Sequence, residues 1–150
     1  MKNIILYVMV IFILGMTSCQ QNNSDAVSHK SHEPKKAEAP YSDVVEANGF
    51  LFLSGQIGMD HSVRILVEGG IEAETKQCIE NIKAVLEAAG TKMSKVVKTT
   101  VFLLDMNDFG AMNGVYGEYF TKKFPARSAV QVARLPKDGL VEIEAIAMLD

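Results

Sequence analysis

Short apolar runs bounded by turn residues predict the strands of this chain. Two such runs flank the dipeptide Asn48-Gly49, one over residues 44–47 and the other over residues 50–54. Asn-Gly between apolar runs is typical of a tight hairpin, because both residues tolerate a positive φ. A third short strand is predicted over residues 63–67, and the β-branched segment over residues 96–104 predicts a central strand.

A 3.6-residue spacing of apolar positions predicts two helices. The first helix ends before Gly90, and its buried stripe comprises Ile71, Cys78, Ile79, Ile82, Val85, Leu86 and Ala89. Cys78 lies on this stripe, so we interpret it as a small core residue. The second helix is predicted to have Asn107 or Asp108 as its cap, and its apolar face comprises Phe109, Met112, Tyr116, Tyr119 and Phe120.

A C-terminal block over residues 124–147 predicts two further strands joined by a Pro/Gly turn. In the last strand Val141 and Ile143 point to one side, whereas Glu142 and Glu144 point to the other. The resulting order of elements predicts an α+β domain with both helices on one face of a sheet. The opposite face would expose apolar side chains, so we expect the chain to oligomerise.

The N-terminal segment predicts export and attachment to a membrane. Lys2 precedes an apolar run over residues 4–16, which is shorter than the roughly 20 residues of a spanning helix but suits a signal peptide. Residues 14–19, Leu-Gly-Met-Thr-Ser-Cys, resemble a bacterial lipobox, so Cys19 is expected to be acylated and to become the mature N-terminus. The alternative is an ordinary secretory signal with a chance cysteine. The expected location is the bacterial cell envelope, with a lipid anchor.

A polar stretch over residues 20–39 predicts a disordered tether, because it has too few large apolar residues to offset its ordering entropy. It separates the signal peptide, residues 1–19, from a folded domain over residues 40–150. His29 and His32 within the tether could touch a metal ion, but no further ligand cluster accompanies them, and a solvated linker is the simpler interpretation.

Charge and motif content argue against several function classes. The formal net charge is −3, so the chain lacks the positive charge expected of a nucleic-acid binder. The sequence shows no nucleophile triad and no phosphate-binding glycine loop. Any chemistry is therefore expected to proceed without a cofactor, using acid–base groups and an ordered water.

Arg127 and Glu142 are the candidate catalytic residues. Arg127 begins the first strand of the C-terminal block, and its planar guanidinium matches a carboxylate through two hydrogen bonds. Glu142 lies in the second strand, where a partly buried carboxylate could hold a water. The alternatives are a surface salt bridge for Arg127 and a solvent-facing charge for Glu142.

Five segments also form a recognisable set. They are Pro40-Tyr41-Ser42, Ser54-Gly55-Gln56-Ile57, residues 81–90, residues 97–102 and the C-terminal block. Together they resemble the RidA/YjgF family of imine deaminases. The resemblance implies a chorismate-mutase-like α+β domain with one mostly antiparallel sheet, and a homotrimer with clefts between subunits. It implies neither a cofactor nor a metal.

The same resemblance implies a reaction and roles for individual residues. Arg127 would bind the substrate carboxylate, and Glu142 would hold the attacking water. The cleft would be lined by Tyr41, Ser54, Gly55 and Asn113. The implied reaction is the hydrolysis of small 2-imino or 2-enamino acids to 2-oxo acids and ammonia.

Three positions depart from the family pattern, and two other functions stay open. Ala129 stands where the family often has cysteine, Asp43 where glutamine is common, and Gly58 where proline is common. These differences concern substrate preference rather than the fold.

The chain could instead be a non-catalytic module that binds small carboxylates at the envelope. An endoribonuclease fits an acidic domain outside the cytoplasm poorly.

Overall fold

The predicted elements form one sheet that packs against two helices. The computed structural model describes residues 26–29 and 39–149. Its strands are β1 (Val27–His29), β2 (Val44–Ala47), β3 (Phe50–Ile57), β4 (Met59–Asp60), β5 (Ile65–Leu66), β6 (Val96–Leu103), β7 (Ala126–Gln131) and β8 (Val141–Met148). The helices are α1 (Gly70–Ala88) and α2 (Phe109–Tyr119), and 3-10 turns cover Met93–Lys95, Met106–Asp108 and Pro136–Asp138.

The main sheet has the strand order β1-β2-β3-β8-β6-β7, so the C-terminal strand β8 lies near its centre. Neighbouring strands are antiparallel except β6 and β7, which run parallel. Strands β4 and β5 form a separate hairpin. This arrangement confirms the prediction of an α+β domain with two helices packed on a mostly antiparallel sheet.

The hairpin predicted at Asn48-Gly49 is confirmed. Both residues have positive φ, 51° for Asn48 and 77° for Gly49, and Ala47 pairs directly with Phe50. A two-residue turn of this kind matches the right-handed twist of its flanking strands. It therefore fixes the register in which β2 and β3 pair.

The core lies between α1 and one face of β8. Val141, Ile143, Ala145 and Ala147 are buried, as their alternation predicts. The α1 stripe packs over them and buries Cys78, Ile79, Ile82, Val85 and Leu86. Full burial of a side chain such as Ile143 stabilises the fold by about 1.5–3 kcal/mol. Helix α2 adds Met112 and Tyr116 to the same core.

Two local predictions differ from the structure. The third short strand predicted over residues 63–67 is present as β5, but it is limited to Ile65–Leu66. It pairs with β4, which the sequence did not predict, through a turn in which Arg64 has a φ of 63°. Asp108 does precede α2, but its side chain makes no capping hydrogen bond. Instead, Asp105 Oδ1 accepts a hydrogen bond from Asn107 N at 2.9 Å and caps a preceding 3-10 turn. Helix entry through such a turn is decided by packing beyond the few residues that a capping pattern samples.

Part of the predicted tether is ordered. Val27–His29 pair antiparallel with β2, and His29 Nε2 lies 3.6 Å from Glu46 Oε2. For these three residues the structure differs from the prediction of disorder, since β2 would otherwise present unpaired backbone groups at the sheet edge. Cys19 and the rest of the expected signal peptide lie outside the described residues, as do residues 30–38 with His32. Of the described helices, neither is long and apolar enough to cross a membrane.

The sheet face opposite the helices carries exposed apolar side chains. Phe50 and Phe52 on β3 are 40% and 44% exposed, and Met148 on β8 is 40% exposed. Val130 on β7 lies on the same face and is 43% exposed. Apolar surface of this kind favours association with another chain. The expected homotrimer is consistent with it and stays a prediction.

Candidate active site

A bulge in β3 shapes the candidate site. Leu53 pairs with Ala145 and Gln56 pairs with Ile143, so β3 has one residue more than β8 over this stretch. The extra residue lies within Ser54-Gly55, opposite Glu144, and regular pairing resumes with Gln56 opposite Ile143 and Ile57 opposite Glu142. Bulges bend a strand and redirect its side chains, and they are common beside functional sites.

Glu142 lies directly against the backbone of Gly55. A Cβ atom on residue 55 would overlap Glu142 Oε1 and would come within 2.8 Å of Glu142 Cδ. Glycine is therefore required at this position for the carboxylate to reach it. Burial raises the pKa of Glu142 above its ordinary value, and the neighbouring Glu144 carboxylate adds to the increase.

A cleft of about 370 Å³ opens beside Glu142. It brings together four residues that the sequence predicts for the site, namely Tyr41, Ser54, Gly55 and Glu142. It is also lined by residues that the sequence did not indicate, including Gln56, His61, Arg64 and Lys137. Gln56 lies on β3 beside Gly55, whereas the β4–β5 hairpin brings His61 and Arg64 to the cleft and the Pro136–Asp138 turn brings Lys137.

Hydrogen bonds from Ser54 hold the segment that precedes β2, residues 41–43, along one side of the cleft. Ser54 Oγ donates to the carbonyl oxygen of Ser42 at 2.7 Å, and Ser54 N donates to the carbonyl oxygen of Asp43 at 3.0 Å. The segment before β2 is thereby held against β3. Tyr41, which is 50% exposed, consequently stands at the opening of the cleft.

A buried asparagine on α1 holds the chain that leads from β3 to β4. Asn81 Nδ2 donates to the carbonyl oxygens of Ile57 at 3.1 Å and Met59 at 3.0 Å. Gln77 Nε2 in turn donates to Asn81 Oδ1 at 2.8 Å. Asn81 was not predicted to be functional, although it begins one of the segments that resemble RidA and is a polar residue among the apolar positions of the α1 stripe.

Glu74 supports the opposite wall from inside the fold. Its side chain is buried, and Oε2 accepts a hydrogen bond from Leu140 N at 2.8 Å. Burial raises the pKa of Glu74, and backbone hydrogen bonds from Leu140 and Val141 partly oppose that increase. Gly58 packs against the same residue, since a Cβ there would lie 2.6 Å from Glu74 Cα. The departure at Gly58 therefore allows close contact between α1 and the cleft.

Arg127 lies elsewhere in the single chain. It pairs with Thr99 on β6, so its side chain points to the helix-covered face. Its Cζ lies 4.5 Å from the ring centroid of Tyr116 and 5.6 Å from that of Phe109. Both distances are within the range of a cation–π contact. Asn113 lies between these two rings on the same stripe of α2.

Two halves of the predicted site are thus separated within one chain. Glu142 pairs with Phe102 and faces away from the helices, whereas Arg127 faces towards them. The physical reason is the two-residue period of a strand, which sends neighbouring positions to opposite faces. The structure groups Glu142 with Tyr41, Ser54 and Gly55 in the cleft. It places Arg127 over the aromatic rings of α2, the helix that carries Asn113.

The described residues include one cysteine, which is buried, and no cluster of side chains that could hold a metal ion. Cys78 is fully buried, and its Sγ donates to the carbonyl oxygen of Val141 at 3.6 Å. Burial raises the pKa of this thiol well above its ordinary value, which fits the predicted role as a core residue. In residues 26–29 and 39–149, no group of three or more His, Cys, Asp or Glu side chains is placed to hold a metal ion.

Comparisons relate the chain to known proteins. A sequence profile of the family described as Endoribonuclease L-PSP matches residues 30–149. A RutC family protein of Pyrococcus horikoshii is 55% identical over 112 residues, which are 75% of this chain and 89% of that protein. A 2-iminobutanoate/2-iminopropanoate deaminase of Capra hircus is 53% identical over 112 residues, which are 75% of this chain and 82% of that protein. The crystal structure of E. coli TdcF with bound serine is 36% identical with a TM-score of 0.71, covering 82% of this chain and 94% of that one.

Proposed function

Because the chain belongs to the Endoribonuclease L-PSP family, which includes the RidA proteins, we propose that it hydrolyses small 2-imino and 2-enamino acids to 2-oxo acids and ammonia. Relatives about half identical to it carry the name of such a deaminase. The observation that carries the proposal is the Glu142 carboxylate, which is pressed against Gly55 in a cleft and has a raised pKa. A carboxylate beside the reacting group can accept a proton and return it.

In the proposed reaction, a water adds to the carbon of the C=N bond while Glu142 accepts its proton. Starting from the protonated imine, this step gives a neutral carbinolamine, and Glu142 then returns the proton to its nitrogen. The C–N bond breaks as the C=O bond forms, and Glu142 takes the hydroxyl proton and passes it to the departing ammonia, which leaves as ammonium. The new carbonyl oxygen comes from the water, and no electron is transferred. Glu142 ends the cycle as a carboxylate, so the reaction needs no cofactor and Glu142 acts first as base and then as acid.

The substrate carboxylate requires a cation that a single chain does not place beside Glu142. We propose that Arg127 of a second copy supplies it in a homotrimer, by docking onto the open sheet face. The exposed side chains of Phe50, Phe52 and Val130 support such an interface. Each of three identical clefts would then use Glu142 from one copy and Arg127 from the next, as a closed head-to-tail ring requires.

Release of ammonia from 2-iminopropanoate generated in the assay tests this function. We expect the protein to accelerate release, and we expect both Arg127→Ala and Glu142→Gln to abolish the acceleration. Binding of pyruvate without any acceleration would contradict the proposal and would favour a carboxylate-binding module. Retained turnover by Arg127→Ala would contradict the assigned role of the arginine.

A mixing experiment tests whether the site is shared between copies. The two inactive variants, Arg127→Ala and Glu142→Gln, are unfolded together, refolded at equal concentration and assayed. If each site takes one residue from each of two copies, random assembly restores about a quarter of wild-type activity. A mixture that stays inactive, while each variant alone forms trimers by light scattering, would contradict the shared site.

We also propose that the chain is held at the cell envelope through acylated Cys19. The apolar run over residues 4–16 and the lipobox-like residues that follow support this location. Labelling with radioactive palmitate in bacterial cells should mark the wild-type chain and not Cys19→Ala. Equal labelling of the two would contradict the proposal.

A further inference from the structure

Arg64 adopts a backbone conformation that an arginine rarely takes. Its φ is 63°, in the turn between β4 and β5. Glycine adopts this left-handed region readily, whereas a side chain with a Cβ is strained there. Strained residues of this kind concentrate at binding and catalytic sites.

Arg64 contributes to the wall of the cleft, and its Nη1 atom lacks an acceptor. Arg64 lines the cleft that contains Glu142, and its Nη1 atom is buried. No group of the described residues accepts a hydrogen bond from Nη1. A buried charged donor without an acceptor costs free energy of folding, so a bound ligand that supplies an acceptor would stabilise this arrangement.

Lys137 adds a second cation at the exposed rim of the same cleft. It also has a left-handed φ, 58°, and it lies in the Pro136–Asp138 turn. Arg134 steadies this turn, since its Nε donates to Asp138 Oδ1 at 2.8 Å. Within the described residues, neither Arg64 nor Lys137 forms an ion pair with a carboxylate. The cleft thus presents two cations besides whatever Arg127 contributes.

We infer that the cleft takes 2-imino acids with a second carboxylate on the side chain, such as the imines of aspartate and glutamate. The inference rests on the proposed function, in which Arg127 of another copy binds the carboxylate next to the imine carbon. A substrate with one carboxylate would leave Arg64 and Lys137 facing the cleft without an anion. A second carboxylate would accept two hydrogen bonds from the Arg64 fork, with Lys137 close to the same end.

The test compares two imines on the same protein. An amino-acid oxidase generates 2-iminopropanoate from alanine or 2-iminosuccinate from aspartate, and kcat/KM for ammonia release is measured for each. We expect the wild-type protein to prefer the dicarboxylic imine by about tenfold or more, as one added charged hydrogen-bond pair allows. Arg64→Gly should lower the ratio of the two kcat/KM values by about ten- to a hundredfold.

Arg64→Gly is suited to this test because glycine is favoured at that φ. The variant should therefore unfold at the same temperature as the wild type or higher. Arg64→Lys should keep part of the preference, since it keeps the charge and loses the fork. Lys92→Gln is the matched control, because it removes an exposed lysine near Met148, at the end of β8 away from Glu142. It should leave the ratio unchanged.

A second readout separates this inference from the proposed function. Calorimetry compares binding of 2-oxoglutarate and pyruvate, which need no turnover, to the wild-type protein and to Arg64→Gly. Tighter binding of the dicarboxylate that Arg64→Gly abolishes would support the inference even if neither imine were hydrolysed. Equal ratios in both proteins by both methods would overturn it and leave the deaminase proposal intact. Loss of the trimer in Arg64→Gly with unchanged ratios would also overturn it, and would make Arg64 an interface residue.

Discussion

The candidate site has two halves, one around Glu142 and one around Arg127, which lie on opposite faces of one sheet. The two halves depend on different kinds of structural support. The backbone shapes the first half, since the β3 bulge and the missing Cβ of Gly55 admit the Glu142 carboxylate. Side-chain packing shapes the second half, since the Arg127 guanidinium lies over the rings of Tyr116 and Phe109. One chain therefore specifies two half-sites, each with its own structural support.

The charged groups of the two halves also have different surroundings. Burial and Glu144 raise the pKa of Glu142, so its charged form is disfavoured in the single chain. Arg127 lies near the aromatic ring of Tyr116, whose hydroxyl is 2.8 Å from Thr99 Oγ1. Substitutions that affect one half and spare the other can therefore test the division.

Removing the carboxylate from the Glu142 half should have the largest effect. Glu142→Gln cannot accept the proton of the water, so kcat/KM for 2-iminopropanoate should fall about 10²- to 10⁴-fold. The pKa of Glu142 is raised in the folded state, so protonation of this residue stabilises the fold. That stabilisation is fully present below the ordinary pKa of 4.5 and is lost as the pH rises through the folded pKa. The variant should therefore be at least as stable as the wild type at pH 7 in a urea titration. A loss of activity explained by unfolding would contradict this.

Adding one methyl group at the bulge should have the next largest effect. Gly55→Ala would displace the Glu142 carboxylate, and a shift of about 1 Å can lower activity up to a hundredfold. Gly117→Ala is the control, because glycine 117 is exposed on α2 and its Cβ would meet no atom within 4 Å. The control should keep its activity and gain up to about 1 kcal/mol in the free energy of unfolding. Equal kcat/KM for Gly55→Ala and the wild type would show that the close contact is unimportant.

Changing the shape but not the charge of the Arg127 half should have a smaller effect. Arg127→Lys loses the bidentate fork and the contact with the Tyr116 ring, so kcat/KM should fall about tenfold, mainly through KM. Arg134→Lys is the matched control, because Arg134 is 77% exposed at its side chain and pairs only with Asp138 among the described residues. A similar loss in both variants would mean that the effect is not specific to the site.

The smallest effect is expected from the neighbour of Glu142 on β8. If Glu142 acts as the base, activity is lost as the pH falls through its raised pKa. Glu144→Gln removes the negative charge that contributes to this increase, so the acidic limb of the kcat/KM profile should move to lower pH. The shift should be less than about one pH unit, because Glu144 is exposed and solvent screens its charge. A shift to higher pH would contradict the assignment of Glu142 as the titrating group.

Much of the fold could be predicted because its signals are local. The Asn48-Gly49 turn needs two residues with positive φ, and the sequence supplies the dipeptide that adopts them. The stripe on α1 and the alternation in β8 follow from the geometry of one element at a time. The same alternation predicted that Glu142 and Glu144 share a face, and the structure confirms it. The resemblance to RidA added the candidates that the cleft then brought together.

The rest depended on pairing between distant segments. β8 lies between β3 and β6, and no local pattern indicates that Glu142 would meet Gly55 across a bulge. Arg64 falls within the strand predicted over residues 63–67, yet the structure places it in the turn between β4 and β5, where it lines the cleft.

Local patterns in the sequence indicated both helices, most of the strands and the residue types that could carry the chemistry. The tertiary structure decided which of those residues meet. Arg127 and Glu142 are fifteen residues apart in one block, but β7 pairs parallel with β6 while β8 pairs antiparallel with it. The register of those two ladders sends the side chains to opposite faces, and this register depends on pairing between segments that are distant in the sequence.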